Sequence, residues 1–233
     1  MEEKTPAILF GYTPVMSNVY PDRLRKEIGR EVSWLRMMDE VPVPAPDGSW
    51  EGVQPEETEV IFTTWGMPRL TGPFLDALPR LKAVFYAAGS VRGFVTEASW
   101  KRGIRIFSAA RANAVPVAEF TVAQIVLGLK QTKRLRMRTA GDWEKSEAAK
   151  LTMQGNYRTR VGLISYGAIA RLVRQKLRVF EHEVWVYDPF LTEEEADEEG
   201  IHLCSLETLF AECPVVSLHA PLLEATRGMV RGH

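Results

Sequence analysis

The residues with the most chemical content lie between Arg160 and Phe190, in the run RVGLISYGAIARLVRQKLRVFEHEVWVYDPF. An apolar stretch, residues 161–164, leads into Ser165, Tyr166 and Gly167. A helical pattern follows, and a second apolar stretch, residues 184–187, stops at Asp188. A glycine opening a helix lets backbone come close to a phosphate, and the helix N-terminus supplies N–H groups and the positive end of its dipole. An acidic residue ending the next strand can accept hydrogen bonds from a ribose. The chemistry these types and spacings support is the holding of a dinucleotide.

The usual fingerprint is G-x-G-x-x-G/A, and this chain has Ser165-Tyr166-Gly167-Ala168-Ile169-Ala170. The middle glycine stands and Ala170 is a permitted third position, whereas Ser165 puts a side chain where the turn is tightest. Weaker or shifted binding is the expectation. The plainer readings are a helix-start glycine without a ligand and a strand-end acid before Pro189; the joint layout of strand, helix and acid favours the site. An acid at Asp188 also repels a 2′-phosphate, so NAD is preferred over NADP. Tyr166 either packs on the cofactor or covers the turn.

The surrounding elements have to position these groups. Residues 7–12, 60–65, 83–87 and 104–107 read as strands; 21–32, 74–81 and 96–102 read as helices; 41–54, rich in Pro, Gly, Asp and Ser, reads as a loop. Strand–helix alternation predicts parallel sheets covered by helices. Residues 115–135 form a long helical pattern, apolar in its first half and basic in its second through Lys130, Lys133, Arg134, Arg136 and Arg138. An apolar helix of this kind is expected to be buried on several sides, which suits an inter-domain or inter-subunit position. The domain boundary is placed just before it, giving domains 1–113 and 114–233. Further on, 193–199 is an acidic helical turn, 205–210 a helix capped by Ser205, and 214–220 a third buried strand of the cofactor domain.

The 233 residues are 45% hydrophobic and 25% charged, with a net charge of −1, which leaves no electrostatic footprint for nucleic acid or an anionic membrane. No apolar stretch of spanning length and no signal peptide is read from the sequence, so the expected location is the cytoplasm. Cys204 and Cys213 make no metal or disulfide pattern and suit a reducing compartment as small buried residues. No metal site is expected.

Four segments resemble the D-isomer-specific 2-hydroxyacid dehydrogenases, the family of phosphoglycerate, glyoxylate and hydroxypyruvate reductases. They are Ala88-Gly89-Ser90-Val91, the run NAVPVAEF from Asn113, the unit 161–188, and VVSLHAPL from Val215 followed by EATRG from Glu224. The last is the most specific. The resemblance implies an α/β fold with parallel sheets: a flavodoxin-like substrate domain and the first half of a Rossmann NAD-binding domain. It implies NAD held by Ser165, Tyr166, Gly167, Ala168, Ile169, Asp188, Pro189, His219, Ala220, Pro221 and Thr226. A substrate carboxylate would be held by the backbone turn at Ala88, Gly89 and Ser90. Hydride would pass between NAD(H) and C2 of a small 2-hydroxy or 2-oxo acid, and a homodimer built around the long helix is implied.

The family's catalytic Arg, Glu and His follow the VVSLHAPL strand, so no catalytic residue is named up to His233, and His219 is not promoted to the role. As written the chain is expected to hold the adenosine end of NAD without turnover. Its first cofactor-domain strand, 161–164, is expected at an unpaired sheet edge. A catalytically silent NAD-binding module, akin to the family's corepressor branch, is the alternative. An S-adenosylmethionine-dependent transferase ranks last, because it leaves the flavodoxin-like half and the HAPL…TRG string unexplained.

Overall fold

A computed structural model describes residues 4–41, 55–133, 144–145 and 155–231. Most of the expected 41–54 loop, Arg134, Arg136, Arg138 and His233 lie outside the described residues. The chain divides into two compact units, Met1–Asn113 and Ala114–His233.

The first unit runs β1 (Thr5–Phe10), α1 (Thr13–Val19), α2 (Asp22–Ile28), β2 (Val32–Met37), β3 (Val60–Thr63), α3 (Gly72–Asp76), β4 (Ala83–Tyr86), α4 (Glu97–Lys101) and β5 (Arg105–Ser108). Its five strands are parallel in the order β2-β1-β3-β4-β5, the flavodoxin-like winding. Ala7, Ile8, Leu9 and Phe10 are all fully buried, as a central parallel strand covered on both faces requires. Ile8, Phe10, Ile61, Val84 and Tyr86 pack with Phe74, Leu75 and Phe94 on one face. Leu9 packs with Met16 and Tyr20 on the other. Phe62, Phe85 and Phe107 sit at matched register on β3, β4 and β5 and stack at centroid distances of 5.0 and 4.7 Å. Several elements differ from expectation, among them strand β2, which the sequence reading does not contain. The helix expected over 21–32 closes at Gly29, whose N–H bonds back to the Arg25 carbonyl, and Val32 already belongs to β2. The short helix α1, entered through Pro14, was not foreseen.

Helix α5 (Ala110–Leu129) carries the chain into the second unit. Its stripe of Ala118, Ile125 and Leu129 enters that unit's core. Val115, Val117, Phe120 and Leu127 are exposed in the single chain, because apolar residues lie all round the helix and one stripe alone meets the core. By length and mean hydropathy α5 is also long and apolar enough to cross a membrane, which the sequence reading did not allow for. Ala114, Ala118, Ile125 and Leu129 are its buried residues.

The second unit continues with β6 (Arg160–Ile164), α6 (Ala168–Leu177), β7 (Glu183–Tyr187), α7 (Glu193–Glu199), β8 (His202–Leu203), α8 (Leu206–Glu212) and β9 (Val215–Leu218). The parallel order is β8-β7-β6-β9. This corrects the expected edge position of 161–164: β6 is interior, flanked by β7 and by β9 in the register Val161↔Val215 to Ile164↔Leu218. The two-residue strand β8 takes the third place, so residues 215–218 form the fourth strand and lie across the point where the winding reverses. The crevice there has both of its strands. Gly162 makes this packing possible: a Cβ on it would stand 2.7 Å from Leu209 Cδ2 and 3.2 Å from Cys213 Cβ, both contributed by α8 and its end.

Candidate functional site

Chain leaving β6 turns sharply before α6 begins. Ser165 adopts φ +70°, in the left-handed region that favours glycine. Its N–H donates to the Tyr187 carbonyl at 2.8 Å, which continues the β6–β7 ladder by one residue. The Tyr166 N–H donates to Asp188 Oδ2 at 2.7 Å, and the Ser165 hydroxyl lies 3.5 Å from the same oxygen. Asp188 Oδ1 accepts the Phe190 N–H at 2.8 Å. The Tyr166 side chain turns away into the core with Ala170, Val173 and Ile201, and the Arg171 guanidinium lies 4.7 Å over its ring. Burial pushes the Tyr166 phenol up to about 12.

Gly167 is the N-cap of α6, has no side-chain cap, and is solvent-facing; a Cβ built on it meets nothing within 4 Å. Among the described residues, no protein acceptor takes the amides of Gly167, Ala168 or Ile169. Open space, three unpartnered donors and the positive end of a ten-residue helix form a cradle for a doubly anionic group. The acid at the end of β7 stands beside it. The residues present fit a dinucleotide. Pro189 and Phe190, just past Asp188, are exposed.

Across the reversal point, His219 extends β9 by donating its N–H to the Ile164 carbonyl at 2.9 Å. Its Nε2 is buried without a protein partner, and burial pushes the imidazole below its ordinary value. Ala220 and Pro221 follow. The Thr226 hydroxyl donates to the Pro221 carbonyl at 2.6 Å and accepts the Leu223 N–H at 2.9 Å, so Thr226 sets the shape of the loop beyond β9.

In the first unit, Ala88, Gly89 and Ser90 form the turn leaving β4. The Ser108 hydroxyl, at the end of β5, lies 2.7 Å from the Gly89 carbonyl and 3.1 Å from the Ala88 carbonyl, and accepts the Ala110 N–H at 3.1 Å. With both carbonyls held, the amides of Gly89 and Ser90 are left without a protein acceptor among the described residues. The Asn113 amide nitrogen lies 3.2 Å from the position a Gly89 Cβ would take. Sequence reading missed Ser108; the signal available was a serine at the end of a strand, two residues before the first amide of a long helix. Arg92 and Trp65 are exposed, and Glu119 pairs with Lys176 at 3.0 Å. Cys204 and Cys213 are free thiols, and burial pushes Cys213 up to about 11. Among the described residues no three His, Cys, Asp or Glu side chains group as metal ligands.

The family model for the D-isomer specific 2-hydroxyacid dehydrogenase NAD binding domain matches residues 122–233. D-3-phosphoglycerate dehydrogenase of Archaeoglobus fulgidus is 26% identical over 157 residues, covering 67% of this chain and 29% of that protein. The Mycobacterium bovis D-3-phosphoglycerate dehydrogenase is 29% identical over 160 residues, covering 67% and 29%. The chain thus spans under a third of the length of these curated relatives. Among solved structures, the NAD-complexed D-isomer specific 2-hydroxyacid dehydrogenase of Lactobacillus delbrueckii ssp. bulgaricus superposes with a TM-score of 0.73 at 20% identity, over 97% of this chain and 66% of that one. At that identity the likeness speaks for the fold: parallel α/β units with a Rossmann-like second half. With the matched residues covering β6 to β9 and the turn at Gly167, it is the second unit, over residues 122–233, that matches the D-isomer specific 2-hydroxyacid dehydrogenase NAD binding domain.

Proposed function

We propose that this chain serves an NAD-dependent oxidoreductase acting on a small 2-hydroxy or 2-oxo acid. The observation that carries the reading is the fan of unpartnered amides at Gly167, Ala168 and Ile169 with Asp188 beside it. The amides would hold the pyrophosphate and Asp188 the adenosine ribose. The carboxylate also disfavours a 2′-phosphate, so NAD is preferred over NADP. His219, Ala220, Pro221 and Thr226 would bound the cofactor beyond β9. When bound, NAD supplies or accepts the hydride.

Substrate recognition is assigned to Ala88, Gly89 and Ser90, whose free amides suit a carboxylate. Proton transfer is assigned to none of the described residues: His219 has its Nε2 buried, and burial pushes its imidazole below the ordinary value. The exposed Val115, Val117, Phe120 and Leu127 of α5 support a homodimer in which a second copy covers them. The free thiols of Cys204 and Cys213 support a cytoplasmic setting.

Titration of the purified chain with NADH, followed through tryptophan fluorescence, tests the reading. Saturable quenching, displaced by NAD and poorly displaced by NADP, is the expected result. No response at about 1 mM, a weak affinity for a specific cofactor site, overturns it.

A further inference from the structure

The β6–α6 turn contains a contradiction that its surroundings resolve. Ser165 occupies a left-handed conformation at φ +70°, disfavoured for any residue with a Cβ, and it does so at the tightest point of a phosphate-holding turn. Such a conformation persists only when neighbouring bonds over-determine it. Here the Ser165 N–H is held by the Tyr187 carbonyl, and the remaining bonds converge on one side chain. Asp188 Oδ2 takes the Tyr166 N–H at 2.7 Å and stands 3.5 Å from the Ser165 hydroxyl, while Oδ1 takes the Phe190 N–H at 2.8 Å. A single carboxylate thereby ties the turn after β6 to the end of β7 and to the start of the next loop. A carboxylate oxygen accepting from a backbone N–H makes a charge-assisted bond, stronger than its neutral counterpart.

We propose that Asp188 is a positioning residue for the pyrophosphate turn, acting on the phosphate end of the cofactor through Ser165 and Tyr166, separately from its contact with ribose. The proposal rests on the reading of this site as a dinucleotide site. Each carboxylate oxygen has two acceptor directions, so the staple leaves capacity for a ribose hydroxyl. The consequence is particular to a chain with serine at this position. Removing the acid would let Ser165 relax toward an ordinary conformation and swing the amides of Gly167 and Ala168 off the phosphates. Opening the site to a 2′-phosphate by changing Asp188 alone would therefore cost phosphate binding as well. Replacing Ser165 by glycine would free the turn from its dependence on the acid, because glycine adopts the left-handed region without help.

The test compares wild type, D188A, S165G and D188A/S165G. Without ligand, hydrogen exchange of the Tyr166 amide should accelerate about tenfold or more in D188A, while that of Leu163 in β6 stays unchanged. With NAD, D188A should weaken binding about 50-fold in the wild-type background and about 5-fold in the S165G background, the residual loss being that of the ribose contact. If D188A lacks a native near-ultraviolet spectrum, D188N takes its place and should show the same asymmetry at smaller size. An unchanged Tyr166 exchange rate, or equal losses in the two backgrounds, overturns the staple and leaves the cofactor reading standing. A wild-type chain that binds no NAD overturns the cofactor reading itself.

Discussion

The turn that closes β4 and the turn that closes β6 solve one problem by opposite means. Both leave the C-terminal end of a parallel strand, and both present backbone amides with no protein acceptor among the described residues. The first, at Ala88 to Ser90, is fixed by its carbonyls, which the neutral Ser108 hydroxyl holds. The second, at Ser165 to Gly167, is fixed by an amide, which the Asp188 carboxylate holds. A hydroxyl both donates and accepts, and brings no charge to the mouth of the site; a carboxylate only accepts, and brings a full one. On the proposed function, the first turn admits a small carboxylate with no electrostatic penalty. The second admits the shared diphosphate while setting a negative charge where an additional phosphate would lie.

The sharpest way to break this comparison is Gly167→Asp. An aspartate at an N-cap position stabilises a helix, and the space around Gly167 is empty, so the melting temperature should hold or rise. The added charge should weaken NADH binding about 100-fold, roughly 2.7 kcal/mol, by fluorescence titration. Retained affinity would remove the second turn from the comparison. Next in size, Gly162→Val disturbs the second turn's frame without touching the turn. Its side chain meets Leu209 and Cys213, and urea unfolding should show a loss of about 2–3 kcal/mol.

Ser108→Ala probes the first turn. It should cost about 1 kcal/mol in stability and weaken binding of oxamate, a small 2-oxo acid mimic, while NADH affinity stays as it was. A loss of NADH affinity instead would show that the two turns are not separately held. The smallest effect is one of pH. All four histidines fall in residues 114–233, and burial holds both His182 and His219 below their ordinary value. The folded second unit therefore binds fewer protons than its unfolded form as pH falls from about 6.5. Its melting temperature should drop by about 2 °C between pH 7 and 5. Changing both residues to glutamine should remove that part of the slope.

Much of the second turn was legible because a ligand of fixed dimensions demands fixed spacing: a glycine at the helix start and an acid at the next strand's end. Ser205 was legible as a cap for the same local reason, its hydroxyl accepting the Thr208 N–H. What escaped was set by partners distant in sequence. β8 is two residues long, below any periodic signal, and missing it moved residues 215–218 from fourth strand to third and left β6 at an imagined edge. β2 was hidden because its run VSWLRM carries one buried residue and follows a helical pattern without a break in composition. The roles of Tyr166 and Ser108 depend on where a side chain points and which carbonyls meet it. Neither is encoded in the residue's own neighbourhood.

The Phe62–Phe85–Phe107 ladder bears on how the first unit finds its own alignment. Strands β3, β4 and β5 are separated along the chain by helical segments, and each must choose a register against its neighbour. Slipping any one of them by a single residue would carry its ring through to the opposite face. A slip of β4, the middle strand, would forfeit both stacks at once, each worth about 0.5–1.5 kcal/mol beyond simple burial. The three rings work as a vernier for the sheet, tying the alignment of three strands to one row of side chains.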